Sequence, residues 1–251
     1  MKKLMIAASV AICAAAGFAL ESANIVGYAS SALKAGGTMT AAQFLTVGDE
    51  AISLSDITPL GDGAAGTVEI QTLDSYGFTD KSYMYIDYAG PEYDQVGWID
   101  NNAEIGDYYE LVTDVTFPAG AALWVFGADG LSIQSAGQVN TSDVTVTLKA
   151  GATAVGNPYP MAVALADILP LGDGAAGTVE IQTLDAYGFT DKSYMYIDYA
   201  GPDYDQVGWI DNNAEIGDYY ELVTDVTFPA GAGLWVFGAD GLSIRFPAPE
   251  L

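Results

Sequence analysis

The sequence predicts a mainly β protein: two tandem small antiparallel β-sandwich or barrel domains with at most short helical turns. Three observations predict it. The stretch from Leu60 to Ile133 returns from Leu171 to Ile244 with three substitutions, Ser75 to Ala186, Glu92 to Asp203 and Ala122 to Gly233. Apolar and polar residues alternate along that stretch, the period of a half-buried strand. Clusters of Gly, Asp and Asn punctuate it at short intervals, and no region has a sustained helical period. The repeated unit is long enough to bury its own core. It is also far longer than the ~20–50 residues of solenoid and propeller repeats, so two globular units are expected and not an open array.

In chain order, Met1–Ala19 reads as a secretory signal peptide. Lys2 and Lys3 supply the positive start, Leu4–Ala16 a short apolar core, and Gly17-Phe18-Ala19 the small residues of a cleavage site. The apolar run is shorter than the ~20 residues that span a bilayer. Export with cleavage is the expectation, placing the protein outside the cell or at its surface. Cys13 lacks the small preceding residue of a lipoprotein signal, because Ile12 stands there.

Ile25 and Val26 ahead of Gly27 predict a short strand after the leader. Lys34-Ala35-Gly36 and Lys149-Ala150-Gly151 mark equivalent points in two diverged openings, and the first opening is four residues longer before the common stretch. Unit one is expected over residues 20–136 and unit two over 137–251, joined by a short polar segment at Ser135–Ser142. One helical turn is predicted at Ala41–Phe44. Another is predicted at Leu54–Ile57 and again at Leu165–Ile168, closed by Pro59 or Pro170.

The repeated stretch then alternates. Val68 and Ile70 lie opposite Glu69 and Gln71, and Met84, Ile86 and Tyr88 lie opposite Tyr83, Tyr85 and Asp87. Further strands are predicted at Val96–Ile99, Tyr108–Phe117, Ala122–Phe126 and Val144–Leu148. Gly127–Gly130 reads as a hairpin turn into Leu131–Ile133.

Charge narrows the function. The chain has 33 acids against seven Lys and Arg, no His and one Cys, for a formal charge of −26. Loss of the leader removes Lys2, Lys3 and Cys13, which moves the charge to −28 and leaves no disulfide. Nucleic acid is excluded as a partner, since phosphate binding requires Lys and Arg, and docking to an anionic membrane fails for the same reason. Without His or Cys there is no Ser-His-Asp or Cys-His nucleophile, and no zinc, copper or haem site of the usual ligands. Gly61-Asp62-Gly63-Ala64-Ala65-Gly66 has the glycine spacing of a phosphate loop. Asp62 would repel phosphate, and no helix follows, so it reads as a turn. No organic cofactor is expected.

One set of motifs resembles a known group. Asn24-Ile25-Val26-Gly27-Tyr28 comes first, then Leu33–Gly36, Leu54–Ile57, Gly61–Gly63, Gly97-Trp98 and Pro118–Val125, with second-copy equivalents. Their order resembles a group of uncharacterised exported proteins found in many copies in bacteria of the Verrucomicrobia, Lentisphaerae and Planctomycetes type. The resemblance implies an exported, two-unit, β-rich protein and implies no reaction.

Two sets of residues are candidates for chemistry. Asp100, Asn102, Glu104 and Asp107, with Asp211, Asn213, Glu215 and Asp218, place oxygen ligands at near-alternate positions, as Ca²⁺ loops do. Ile105 stands where an EF-hand loop has its sharp-turn glycine, and Leu111 where the closing Glu belongs, so a weak extracellular-type site is the most that is expected. Tyr83, Tyr85, Tyr93 and Trp98, with Tyr194, Tyr196 and Trp209, are candidates for stacking sugar rings. The competing expectation is that Trp98 and Trp124 fill a sheet face. Carboxylates such as Asp87, Glu92 and Asp94 suit acid–base hydrolysis in type. Proximity means little among 33 acids, however, and no enzyme is expected. The expected function is a non-catalytic structural, adhesive or surface-associated role. The alternative is a bivalent carbohydrate-binding protein assisted by calcium, with an extracellular glycan or cell-envelope component as partner. Near-identical copies also favour self-association by strand exchange.

Overall fold

The computed structural model describes residues 26–42, 44–46, 51–74, 79–89, 94–103, 110–184, 190–200, 205–213 and 221–249. Unit one contains β1 (Val26–Ala32), β2 (Thr38–Ala41), β3 (Phe44–Leu45), β4 (Ala51–Ser53), β5 (Ile57–Leu60) and β6 (Glu69–Leu73). It continues with β7 (Thr79–Ala89), β8 (Asp94–Asp100), β9 (Thr116–Pro118), β10 (Ala122–Phe126) and β11 (Ser132–Val139). Unit two contains β12 (Val144–Thr147), β13 (Gly151–Gly156), β14 (Val163–Ala164), β15 (Leu169–Leu171) and β16 (Glu180–Leu184). It ends with β17 (Thr190–Ala200), β18 (Asp205–Asp211), β19 (Thr227–Phe228), β20 (Gly233–Gly238) and β21 (Ser243–Phe246).

The fold is mainly β, as the alternation predicts. Every described strand pairing is antiparallel, and among the described residues no sheet closes into a barrel, which is consistent with a sandwich-like form. Each unit has a five-stranded sheet, β2-β10-β6-β7-β8 or β13-β20-β16-β17-β18. Each also has a smaller sheet, β1-β11-β3 with β5 on β11, or β12-β21-β15.

The core of each unit is its own. In unit one, Phe44, Leu54, Val68, Ile70, Leu123 and Val125 are buried together. Their counterparts around Tyr159, Leu165, Val179, Ile181, Leu234 and Val236 form the core of unit two. Alternation selects these residues. Leu123 and Val125 face inward on β10, while Trp124 and Phe126 between and beside them are half-buried on the other face.

The structure departs from several expectations. Of the strand predicted at Tyr108–Phe117, only Thr116–Pro118 and a Leu111 bridge are seen among the described residues. Gly127–Gly130 turns between two sheets and not within a hairpin, because β10 and β11 pair in different sheets. Ala41–Phe44 is not a helical turn: Ala41 ends β2 and Phe44 opens β3, because each pairs into a sheet. The predicted turns at Leu54 and Leu165 are present as single 3₁₀ turns, Leu54–Asp56 and Leu165–Asp167, and they stop before the proline, which sits inside a strand. The boundary between units lies later than residue 136. β11 pairs with β1 through Gln138, and Val139 belongs to the first core, so Gly137–Val139 complete unit one. The connection is Asn140–Asp143, tightened by Ser142 N donating to Asn140 Oδ1 at 3.0 Å.

The openings also differ in chemistry. The position of Phe44 in unit one is held in unit two by Tyr159, and both are buried. The Tyr159 hydroxyl donates toward Ser142 O at 2.8 Å and Phe246 O at 3.1 Å, tying the start of unit two to its last strand. Asn157 is fully buried beside it. Its Nδ2 reaches Met161 O, Phe228 O and Pro229 O at 2.8, 3.2 and 3.0 Å, and its Oδ1 accepts from Tyr159 N at 3.0 Å.

Candidate functional site

Four of the six aromatic candidates belong to the cores, and the other two are half-buried against them. β7 pairs with β8 so that Tyr85 lies opposite Trp98. Their rings meet edge to face, with centroids 5.4 Å apart, a favoured aromatic geometry. Trp98 is 2% exposed and Tyr83 3% exposed, so neither offers a ring face to a sugar. The Trp98 indole N–H donates to Ile57 O at 2.8 Å, which satisfies its polar group inside the core. Tyr194, Tyr196 and Trp209 repeat the arrangement, with Trp209 Nε1 donating to Ile168 O at 2.9 Å. Burial raises the phenol pKa of Tyr83, Tyr85, Tyr194 and Tyr196, and nearby aspartates add to it. The expected sugar-stacking role of Tyr83, Trp98, Tyr194 and Trp209 is corrected on that ground, while Tyr85 and Tyr196 are half-buried against the same cores. Tyr93 lies outside the described residues.

Of the calcium candidates, Asp100, Asn102, Asp211 and Asn213 are described. Asp100 Oδ1 accepts from Asn102 N at 2.9 Å, and Asp211 Oδ1 from Asn213 N at 2.9 Å, so each pair forms an Asx turn after its strand. Glu104, Asp107, Glu215 and Asp218 lie outside the described residues. Among the described residues, no three acidic or thiol groups come together as a metal site.

The outer face of each large sheet carries a hydrogen-bonded polar ladder. Glu69 Oε1 accepts from Gln71 Nε2 at 2.6 Å and from Ser82 Oγ at 2.5 Å, and Asn101 Nδ2 donates to Ser82 Oγ at 3.1 Å. The same network recurs at Glu180, Gln182, Ser193 and Asn212. It ties neighbouring strands together.

The site that the duplication creates lies between the units. Ala41 N donates to Gly231 O at 3.1 Å, and the equivalent Gly156 N donates to Gly120 O at 2.9 Å. Thr40 bridges to Ala232, and the equivalent Val155 bridges to Ala121. Each of these backbone bonds in one direction has its counterpart in the other, so the units meet about a pseudo-two-fold axis. Thr40 Oγ1 adds a bond to Gly231 O at 3.2 Å that Val155 does not repeat. Two grooves flank that axis, one of about 710 Å³ and one of about 380 Å³. The larger is lined by Lys34, Thr38, Met39 and Trp124 of unit one and by Thr183, Asp191, Lys192 and Asp225 of unit two. The smaller takes some of the equivalent positions, including Lys149, Thr153, Ala154 and Thr72, together with Thr145 and Thr147 of β12.

Sequence reasoning missed this site because the junction is invisible in a single strand pattern. One signal was present: the opening segments differ at the positions that line it, Gly37 against Ala152 and Met39 against Ala154. No protein-family model, curated protein or solved structure matches the chain.

Proposed function

We propose that this is an exported, non-catalytic protein with a structural, adhesive or surface-associated role, its two β-units carried as one body. The observation that supports it most is the reciprocal backbone pairing at Ala41–Gly231 and Gly156–Gly120, which joins two strongly acidic units directly. Such an arrangement serves display and spacing, and a self-repelling surface keeps the protein solvated. The leader-like Met1–Ala19 supplies the route out of the cell.

The test is fractionation of producing cells with N-terminal sequencing of the recovered protein. A chain beginning at Leu20 in the envelope or the medium is the expected result. A cytoplasmic chain that retains Met1 would overturn the proposal.

A further inference from the structure

We propose that the larger junction groove binds one neutral oligosaccharide chain per protein molecule. Trp124 is its stacking surface, and Lys34, Lys192, Asp191 and Asp225 meet the sugar hydroxyls. The inference rests on the exported role above for where the ligand is met, and adds what is bound and where.

The first support is the inequality of the two grooves. The walls differ: Asp191, Lys192 and Asp225 line the larger groove, whereas the smaller lacks their first-copy equivalents and takes Thr145, Val146 and Thr147. Gly37 has a φ of +105°, and a Cβ there would lie 2.4 Å from the Trp124 indole nitrogen. Glycine thus lets the indole lie against the backbone and line the groove. The equivalent position in unit two is Ala152, whose methyl removes that resting place, and Trp235 does not line the smaller groove. One groove therefore has an indole in its wall, and the other has Phe117 but no indole.

The second support is the polar rim. Five basic residues are described, and two of them line this groove from opposite units. Neither Lys34 nor Lys192 makes an ion pair among the described residues. Thr38 Oγ1 accepts from Lys34 N at 3.2 Å and Thr183 Oγ1 accepts from Lys192 N at 3.2 Å, so each hydroxyl proton is left to donate outward. Asp191 and Asp225 supply acceptors. Interleaved donors and acceptors around a flat apolar ring suit a pyranose, which has an apolar C–H face and a rim of hydroxyls that donate and accept.

Charge selects among ligands. Two ammonium groups and two carboxylates balance locally, while the whole chain carries −26 and repels polyanions. An apolar chain would strip water from four charged groups without replacing it. A neutral polyol does neither. The volume falls within the ~300–1,000 Å³ of small-ligand clefts.

The experiment follows the four tryptophan indole N–H resonances of ¹⁵N-labelled full-length mature protein, assigned by single substitutions. Neutral hexasaccharides of β-glucan, xylan and mannan are titrated, with a polyuronate hexamer as the anionic arm. At least one neutral hexamer is expected to move the Trp124 resonance and saturate at one per chain. Trp124→Ala and Lys192→Gln weaken it about tenfold, and Trp235→Ala leaves it unchanged. Lys192 is exposed, so its variant keeps the test valid even if Trp124→Ala disturbs β10. No shift at about 10 mM sugar, ten times a millimolar Kd, overturns the proposal. So does equal movement of the Trp235 resonance, or binding of the polyuronate alone. None of these outcomes bears on leader cleavage or location, which test the exported role separately.

Discussion

Gly233→Ala makes the second copy identical to the first at the one repeat substitution that falls among described residues, and it is expected to destabilise the protein. A Cβ at Gly233 would lie 2.3 Å from Met39 Cγ and 2.9 Å from Met39 Cβ and C, across the junction. Overpacking of this kind costs about 1–3 kcal/mol. Alanine in a strand regains roughly 0.5–1 kcal/mol relative to glycine, so the net loss lies between about 0 and 2.5 kcal/mol, centred slightly above 1. The position equivalent to Met39 is Ala154, and it lines the smaller groove together with Ala122. Met39→Ala removes the Cγ contact but keeps Cβ and C, so it should rescue part of the Gly233→Ala loss, giving a coupling of about 0.5–1 kcal/mol in a double-mutant cycle. Urea denaturation of the four proteins at neutral pH measures it. The reverse change, Ala122→Gly, should cost about 0.5–1 kcal/mol and show no coupling to Met39. A coupling below about 0.5 kcal/mol would refute the reasoning, because Met39 and Gly233 would then not share one packing space.

Three further outcomes follow from the same structure. Burial pushes the Tyr159 phenol from 10.0 up to about 12, so the native state keeps a proton that the unfolded chain has lost. That stability is complete below pH 10 and is lost as pH rises through about 12. Tyr159→Phe should thus cost about 1–1.5 kcal/mol at pH 7. The gap should close to near zero by about pH 11, where wild type has lost roughly 1.4 kcal/mol; a gap that stays constant with pH in denaturation melts contradicts this. Asn157→Ala leaves the carbonyls of Met161, Phe228 and Pro229 and the N–H of Tyr159 without their partner, and should lower stability by about 2–4 kcal/mol in the same assay. If the acidic loops after Asp100 and Asp211 bind calcium at ~0.1–1 mM, then about 10 mM Ca²⁺ should stabilise the protein by roughly 1.4–2.7 kcal/mol for each loop that binds, and an unmoved Tm counts against the loops.

Much of the fold is legible in the sequence. Val68 and Ile70 are predicted to share a face against Glu69 and Gln71, and both are fully buried. The strand predicted at Ala122–Phe126 is present with those bounds. Alternation has a fixed period of two, so it separates the faces of a strand without naming the inner one. On β7 the sequence offers Tyr83 and Tyr85 on one face and Met84 and Ile86 on the other, and hydropathy alone does not choose. Strand pairing chooses, by setting Tyr85 opposite Trp98 and Met84 opposite Glu69. For the same reason four of the six aromatic candidates read as a binding face and fold as core.

By itself, the sequence determined the duplication, the β class, the turns, the acidity and the near-absence of His and Cys. Local pattern and composition carry all of these. Only the tertiary structure decided which aromatics are buried, where unit one ends, and that the two copies meet about a pseudo-two-fold axis. It also decided that the flanking grooves are unequal. That inequality depends on the fit of Gly37 to Trp124 within unit one, and of Met39 to Gly233 across the junction. Both are contacts between residues far apart in the chain, and their spacing is set by strand register and packing.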